Sequence, residues 1–251
     1  MTKSERIKNY IKLCKLNYTS KEIMEELNVS RRTLTSYAKE SGVKPKKIIR
    51  KANVDENYFE KIDTEDKAYI LGFIFADGYI ESHERALTFN ISKKDIDILY
   101  TIKKFTKCGN EIRKSSTKNC IRLYISSKKI VNDLKKLGVT RNKSLSINFP
   151  KLDGNLYRHF LRGYFDGDGH IGKRQCVVVI GSKFFLDGFD DLVFKKFNKS
   201  VYRSNMGNYY RVQLNRCDVD IIKWIYQDSS VYLNRKYNEY LTHWSNYTPK
   251  G

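Results

Sequence analysis

The chain has 251 residues, with 48 Lys and Arg against 28 Asp and Glu, a formal charge of +20. Hydrophobic residues at 40% and aromatics at 13% are enough for a packed core, which excludes a wholly disordered chain. The basic residues run through the whole length, which favours an extended polyanion-binding surface over a membrane-binding arm.

Residues 4–42 read as three short helices. Ile7, Tyr10, Ile11 and Cys14 recur at helical spacing. Thr19-Ser20-Lys21-Glu22 is a capping box opening a second helix with Ile23, Met24 and Leu27. Asn28-Val29 makes a tight turn, and Ser30 caps a third helix with Leu34, Tyr37 and Ala38 inward, ending at Gly42. Two short helices about a tight turn form a helix-turn-helix, assigned to residues 1–43. Its third helix presents Arg31, Arg32, Thr33, Thr35, Ser36 and Lys39, which suit phosphates and base edges in a major groove. A packing module with a solvated charged face is the plainer alternative. Residues 44–57 read as a basic linker, with Pro45 among like charges; Lys46 and Lys47 are candidate DNA contacts.

From residue 68 the chain repeats itself. Tyr69-Ile-Leu-Gly-Phe-Ile-Phe-Ala-Asp-Gly-Tyr-Ile80 resembles Phe160-Leu-Arg-Gly-Tyr-Phe-Asp-Gly-Asp-Gly-His-Ile171, and strand-like and helical stretches follow each in the same order. Each copy reads helix, two strands, helix, two strands, helix. The expected fold is therefore α+β, a pseudo-twofold pair of αββαββα repeats (58–152 and 153–251) behind a small all-α domain. Gly72 and Ala76, like Gly163 and Gly167, stand four apart on one helix face, and such small faces let two helices pack closely. Asp77-Gly78 and Asp168-Gly169 end the two helices, glycine permitting the turn into a strand. Parallel packing brings Asp77 and Asp168 side by side, and two carboxylates together call for a cation. Oxygen ligands without His or Cys favour Mg²⁺, pointing to phosphodiester hydrolysis. Gly167-Asp-Gly-His-Ile-Gly172 fits a dinucleotide fingerprint but closes a helix rather than opening one. A calcium loop from Asp166 fails at its twelfth position, Val177.

Ile70-Leu-Gly-Phe-Ile-Phe-Ala-Asp-Gly78 and Leu161-Arg-Gly-Tyr-Phe-Asp-Gly-Asp-Gly169 resemble the two LAGLIDADG motifs of single-chain homing endonucleases, over roughly residues 58–245. The resemblance implies site-specific cleavage of both strands of a long duplex DNA with Mg²⁺, leaving 3′ overhangs and promoting intron mobility. Mn²⁺ or Ca²⁺ would substitute for binding. It implies catalytic acids at Asp77 and Asp168 and metal-binding carbonyls at Ala76 and Gly167. The first motif departs at its sixth position, where Phe75 replaces Asp. A late lysine in each repeat maps onto Lys143 and Lys236, where it would stabilise transition-state charge or organise the water. Lys93 and Lys183 match a polar position beside the metals.

Leu87, Phe89 and Ile91 alternate with Thr88, Asn90 and Ser92; Ile121, Leu123 and Ile125 with Arg122 and Tyr124; Val212 and Leu214 with Arg211 and Gln213. Period two sets an apolar face on helices and a polar face outward. Those polar residues, with Arg113, Lys173, Arg174 and Arg203, are candidate contacts along a major groove, as the resemblance implies. A non-cleaving transcription regulator or an RNA maturase on the same scaffold remain alternatives. The ends of the chain, Met1 and Thr248-Pro249-Lys250-Gly251, lack splice-junction residues and argue against an intein. The five scattered cysteines (Cys14, Cys108, Cys120, Cys176, Cys217) suggest neither zinc site nor disulfide framework and fit a reducing cytoplasm or nucleoid, an organelle being open. Met1-Thr2-Lys3-Ser4-Glu5 is no signal peptide and no apolar run reaches a membrane span. A monomer without membrane or obligate protein partner is expected.

Overall fold

The computed structural model describes residues 2–46, 53–141, 146–172 and 176–248. It divides into two compact units, Met1–Lys51 and Ala52–Gly251.

The first unit holds α1 (Lys3–Lys15), α2 (Ser20–Glu26) and α3 (Arg31–Ser41). Thr19 and Glu22 form a reciprocal capping box on α2, and Ser30 accepts from the Thr33 amide to cap α3. Asn28, at φ +47°, turns the chain between α2 and α3. Gly42, at φ +67°, ends α3 in the left-handed conformation that an L side chain resists. Tyr10, Cys14, Ile23, Leu34 and Tyr37 form the small core. The segment after α3 folds back on it: the Tyr10 hydroxyl donates to the Val43 carbonyl at 2.7 Å, and the Lys46 amide to that of Tyr18 at 3.0 Å.

The second unit repeats one succession of elements. The first copy runs α4 (Glu65–Asp77), β1 (Gly78–Ile80), β2 (Ala86–Ser92), α5 (Ile96–Phe105), β3 (Arg113–Lys114), β4 (Cys120–Ser126) and α6 (Lys128–Lys136). The second runs α7 (Leu156–Asp168), β5 (Gly169–Gly172), β6 (Cys176–Gly181), α8 (Lys183–Phe197), β7 (Arg203–Asn205), β8 (Tyr210–Leu214) and α9 (Val219–Tyr226). A further helix, α10 (Asn234–His243), follows. The sheets are antiparallel with matching orders, β1-β2-β4-β3 and β5-β6-β8-β7. The fold is thus mixed α+β with two four-stranded antiparallel sheets, as the repeats predict.

Strand alternation holds. Leu87, Phe89, Ile91, Ile121, Leu123, Ile125, Val212 and Leu214 are buried, facing the helices. Every residue of α4 from Ala68 to Phe75 is buried, as is every residue of α7 from His159 to Asp166. A helix buried on all sides is central to its fold.

Candidate active site

The small-residue faces of α4 and α7 meet. A Cβ on Gly72 would stand 1.9 Å from the Phe160 carbonyl oxygen, and one on Gly163 1.9 Å from that of Tyr69. One on Gly167 would stand 2.2 Å from the Ala76 Cβ and 3.2 Å from Asp77 Oδ2. Contacts that advance together along both helices make the pair parallel, with both acids at the same end. Asp77 and Asp168, each half-buried, thus close neighbouring helices. The glycines after them serve differently from the expected turn. Gly78 and Gly169 have φ of −78° and −85°, ordinary extended values. A Cβ there would strike the preceding helical turn, 2.9 Å from Ile74 Cα and 2.5 Å from the Phe165 oxygen. Glycine is required by crowding, not by handedness.

Lys236, on α10, is buried at the acid end of α7. Its Nζ donates to the carbonyls of Phe165 at 2.7 Å, Gly167 at 3.1 Å and Gly169 at 2.5 Å. A cation there complements the carbonyl-rich helix terminus. Burial, helped by Arg235, pushes its pKa down to about 8 against the pull of Asp166 and Asp77. Arg235 itself forks onto Asp95 at 2.7 and 3.0 Å, tying α10 to the turn after β2. A cleft of about 340 Å³ opens beside Lys236, lined also by His170 and Glu239.

Lys93 and Lys183 occupy matching positions. Each lies four residues beyond the residue, Phe89 or Val179, that pairs with the glycine after the acid. Both are exposed, and Lys183 donates to Asp187 at 2.8 Å. Lys143, Lys47, Lys173 and Arg174 lie outside the described residues.

On the outer sheet faces, Asn90, Ser92 and Arg113 are exposed, and Arg122, Tyr124, Arg203, Arg211 and Gln213 half-buried. Thr88 corrects its expected place there. It is fully buried, and its hydroxyl donates to Glu81 at 2.7 Å beneath the Glu81–Arg122 ion pair. In the N-terminal unit, Arg31, Arg32, Thr35, Ser36, Lys39 and Lys46 are exposed and Thr33 half-buried.

The sequence pattern of the LAGLIDADG-like domain matches residues 155–226. The fold aligns with that of the meganuclease I-SmaMI bound to uncleaved DNA target in the presence of calcium ions, at a TM-score of 0.50 and 13% identity over 72% of this chain and 89% of that one. With I-SmaMI bound to an uncleavable DNA the values are 0.50, 15%, 69% and 87%. Part of the chain thus matches the LAGLIDADG-like domain, and the fold resembles that of a meganuclease. Among curated proteins it is similar to the replication factor C small subunit of Methanocaldococcus jannaschii, 28% identical over 60% of this chain and 9% of that one. It is likewise similar to the transcription initiation factor IIB of that organism, 33% identical over 44% and 16%. The chain thus spans under a fifth of the length of these relatives.

Sequence reasoning missed a buried polar cluster that distinguishes the second repeat. Asp166 accepts from the Tyr69 hydroxyl at 2.7 Å, the Tyr226 hydroxyl at 3.1 Å and the Leu233 amide at 2.7 Å. Burial raises its pKa, against the pull of Lys236 and these donors. Arg162, fully buried, donates to the carbonyls of Val231 at 2.7 Å and Ile225 at 3.0 Å and pairs with Glu65 at 2.6 Å. In the first repeat the same motif positions hold Leu71 and Phe75. The available signal was charge inside an otherwise apolar motif helix, because a buried charge must be paired.

Proposed function

We propose that the chain is a sequence-specific DNA endonuclease, hydrolysing a phosphodiester bond in each strand of a long duplex with Mg²⁺. The observation that carries this reading is the glycine-tight parallel pairing of α4 and α7, which ends in Asp77 and Asp168. The donor set suits a hard cation: two half-buried carboxylates, with the carbonyls of Ala76 and Gly167 beside them, are all oxygen. Among the described residues no three His, Cys, Asp or Glu side chains converge on a metal position. Mg²⁺ needs no such cage, since it keeps waters and substrate phosphate oxygens as ligands. When bound, it supplies the charge that polarises a phosphoryl group and acidifies water. Mn²⁺ or Ca²⁺ would support binding in its place.

The chain's own residues do the rest. Lys236 fixes the end of α7 and holds positive charge beside the Gly167 carbonyl. Lys143, Lys93 and Lys183 join it in offsetting charge that develops on phosphate. The polar sheet faces hold the duplex by its major groove, and the exposed face of α3 lengthens the footprint. One chain supplies both halves, so it acts as a monomer. The coarse warrant for DNA is the +20 charge together with a fold shared with a DNA-bound meganuclease. The test is incubation of a randomised duplex library with Mg²⁺, beside the Asp77→Asn/Asp168→Asn variant. Recurrent double-strand cuts by the unaltered chain alone support the reading. Selective binding by both proteins without cuts replaces it with a non-cleaving regulator.

A further inference from the structure

The pseudo-twofold allows the outer faces of the two sheets to be compared row by row. In the first sheet, Asn90 of β2 pairs with Arg122 of β4, which pairs with Arg113 of β3. In the second, Ile180 of β6 pairs with Arg211 of β8, which pairs with Ser204 of β7. The central arginine is common to both rows, and in each its Nε is buried without an acceptor among the described residues. Each guanidinium is also held by a neighbour, Arg122 by Glu81 and Arg211 by Gln213 at 2.9 Å. The residue beside the arginine differs in kind. Asn90 is exposed and polar, whereas Ile180 is 37% exposed and apolar.

Ile180 is fixed in place. Its carbonyl accepts from the Tyr164 hydroxyl at 2.9 Å, and Tyr164 lies on α7 one turn before Asp168. The next row continues the contrast, with Val178 paired to Gln213 where the first sheet has Thr88. A β-branched side chain left open beside a held arginine matches one feature of a major groove. That feature is the thymine C5-methyl group, which apolar side chains distinguish from the other bases. Asn, by contrast, reads adenine through paired hydrogen bonds.

Resting on the DNA-binding reading above, we infer that Ile180 is a specificity-determining residue that reads a thymine methyl in one half-site. The matching position of the other half-site is read by the hydrogen bonds of Asn90.

Thymine and uracil differ only by that methyl group, which isolates the contact. Duplexes are first selected from a randomised library by binding to the full chain. In the recovered duplex each thymine is then replaced in turn by deoxyuridine. One replacement, in one half-site only, weakens binding about fourfold, the effect of one buried methyl group. Ile180→Ala abolishes the difference between thymine and uracil at that position. Ile180→Asn, reselected on the same library, shifts the preferred base there from thymine to adenine, a readout that needs only a variant that still binds. Sensitivity to no single thymine, or sensitivity unchanged in Ile180→Ala, overturns the inference and leaves the DNA-binding reading intact. Recovery of no selective duplex by the unaltered chain overturns both.

Discussion

Arg162 shows what a single buried charge demands of its surroundings. Its guanidinium has no access to solvent and gives its donors to two carbonyls and to Glu65. Removing one partner of such a set strands the rest, at about 3–5 kcal/mol. Arg162→Leu, which copies Leu71 of the first repeat, is expected to lose stability on that scale in urea titrations. A loss under about 1 kcal/mol contradicts this. His159 supplies a second prediction. Burial, with Arg162 and Arg158 beside it, pushes its pKa from 6.5 to about 4. The neighbours favour the neutral ring: Nε2 accepts from Arg158 at 3.2 Å, and Nδ1 lies 2.9 Å from the cationic Arg162 Nη2 and 3.3 Å from Glu65. Between pH 4 and 6.5 the unfolded chain binds a proton that the folded chain refuses. This contribution to stability is therefore complete above pH 6.5 and lost as pH falls toward 4. Melting temperatures of the parent should fall more steeply across that window than those of His159→Gln, whereas parallel curves contradict the assignment.

At the scale of elements, everything turns on how closely α4 and α7 approach. Alanine in a helix is favoured over glycine by about 1 kcal/mol, yet at Gly163 its Cβ would stand 1.9 Å from a backbone oxygen. Gly163→Ala must part the helices, a cost of about 1–3 kcal/mol or more that outweighs propensity. Gly154, with open space around it, is the control. Chemical denaturation should show Gly163→Ala destabilised and Gly154→Ala close to neutral; equal stability of the two contradicts the packing. This pairing was legible in the sequence because the small residues sit four apart in both copies and the acid follows in both. The sheets were legible through period-two alternation, and the short helices through their capping residues. What escaped lay across the chain. The partners of Arg162 and Asp166 include Glu65, Tyr69 and residues 225–233, far in sequence and without a local pattern. Thr88 looked outward by alternation, but Glu81 and Arg122 close over it. Lys236 was expected near the acids as the late lysine of its repeat, but its three carbonyl partners follow from α10 crossing the end of α7, which carries no local pattern.

For the whole molecule, the charge of +20 makes affinity for a duplex an electrostatic quantity. A protein that neutralises about six to ten phosphates loses about 10³–10⁵ in affinity between 50 and 200 mM salt. Fluorescence-anisotropy titrations with the selected duplex should fall within that range, and an affinity indifferent to salt contradicts an extended basic surface. The N-terminal unit, with its own core, adds to this surface under the proposed function. Footprints with and without residues 1–52 should differ by several base pairs at one end; identical footprints remove α3 from the interface.

The central claim is that Asp77 and Asp168 serve one centre of phosphodiester hydrolysis. The measurement that meets it most directly is a time course on a plasmid bearing the selected site, with Mg²⁺, for the unaltered chain and for Asp77→Asn and Asp168→Asn separately. The account predicts linear product from the unaltered chain and none from either variant, although all three bind the site. Linear product from either single variant would contradict it.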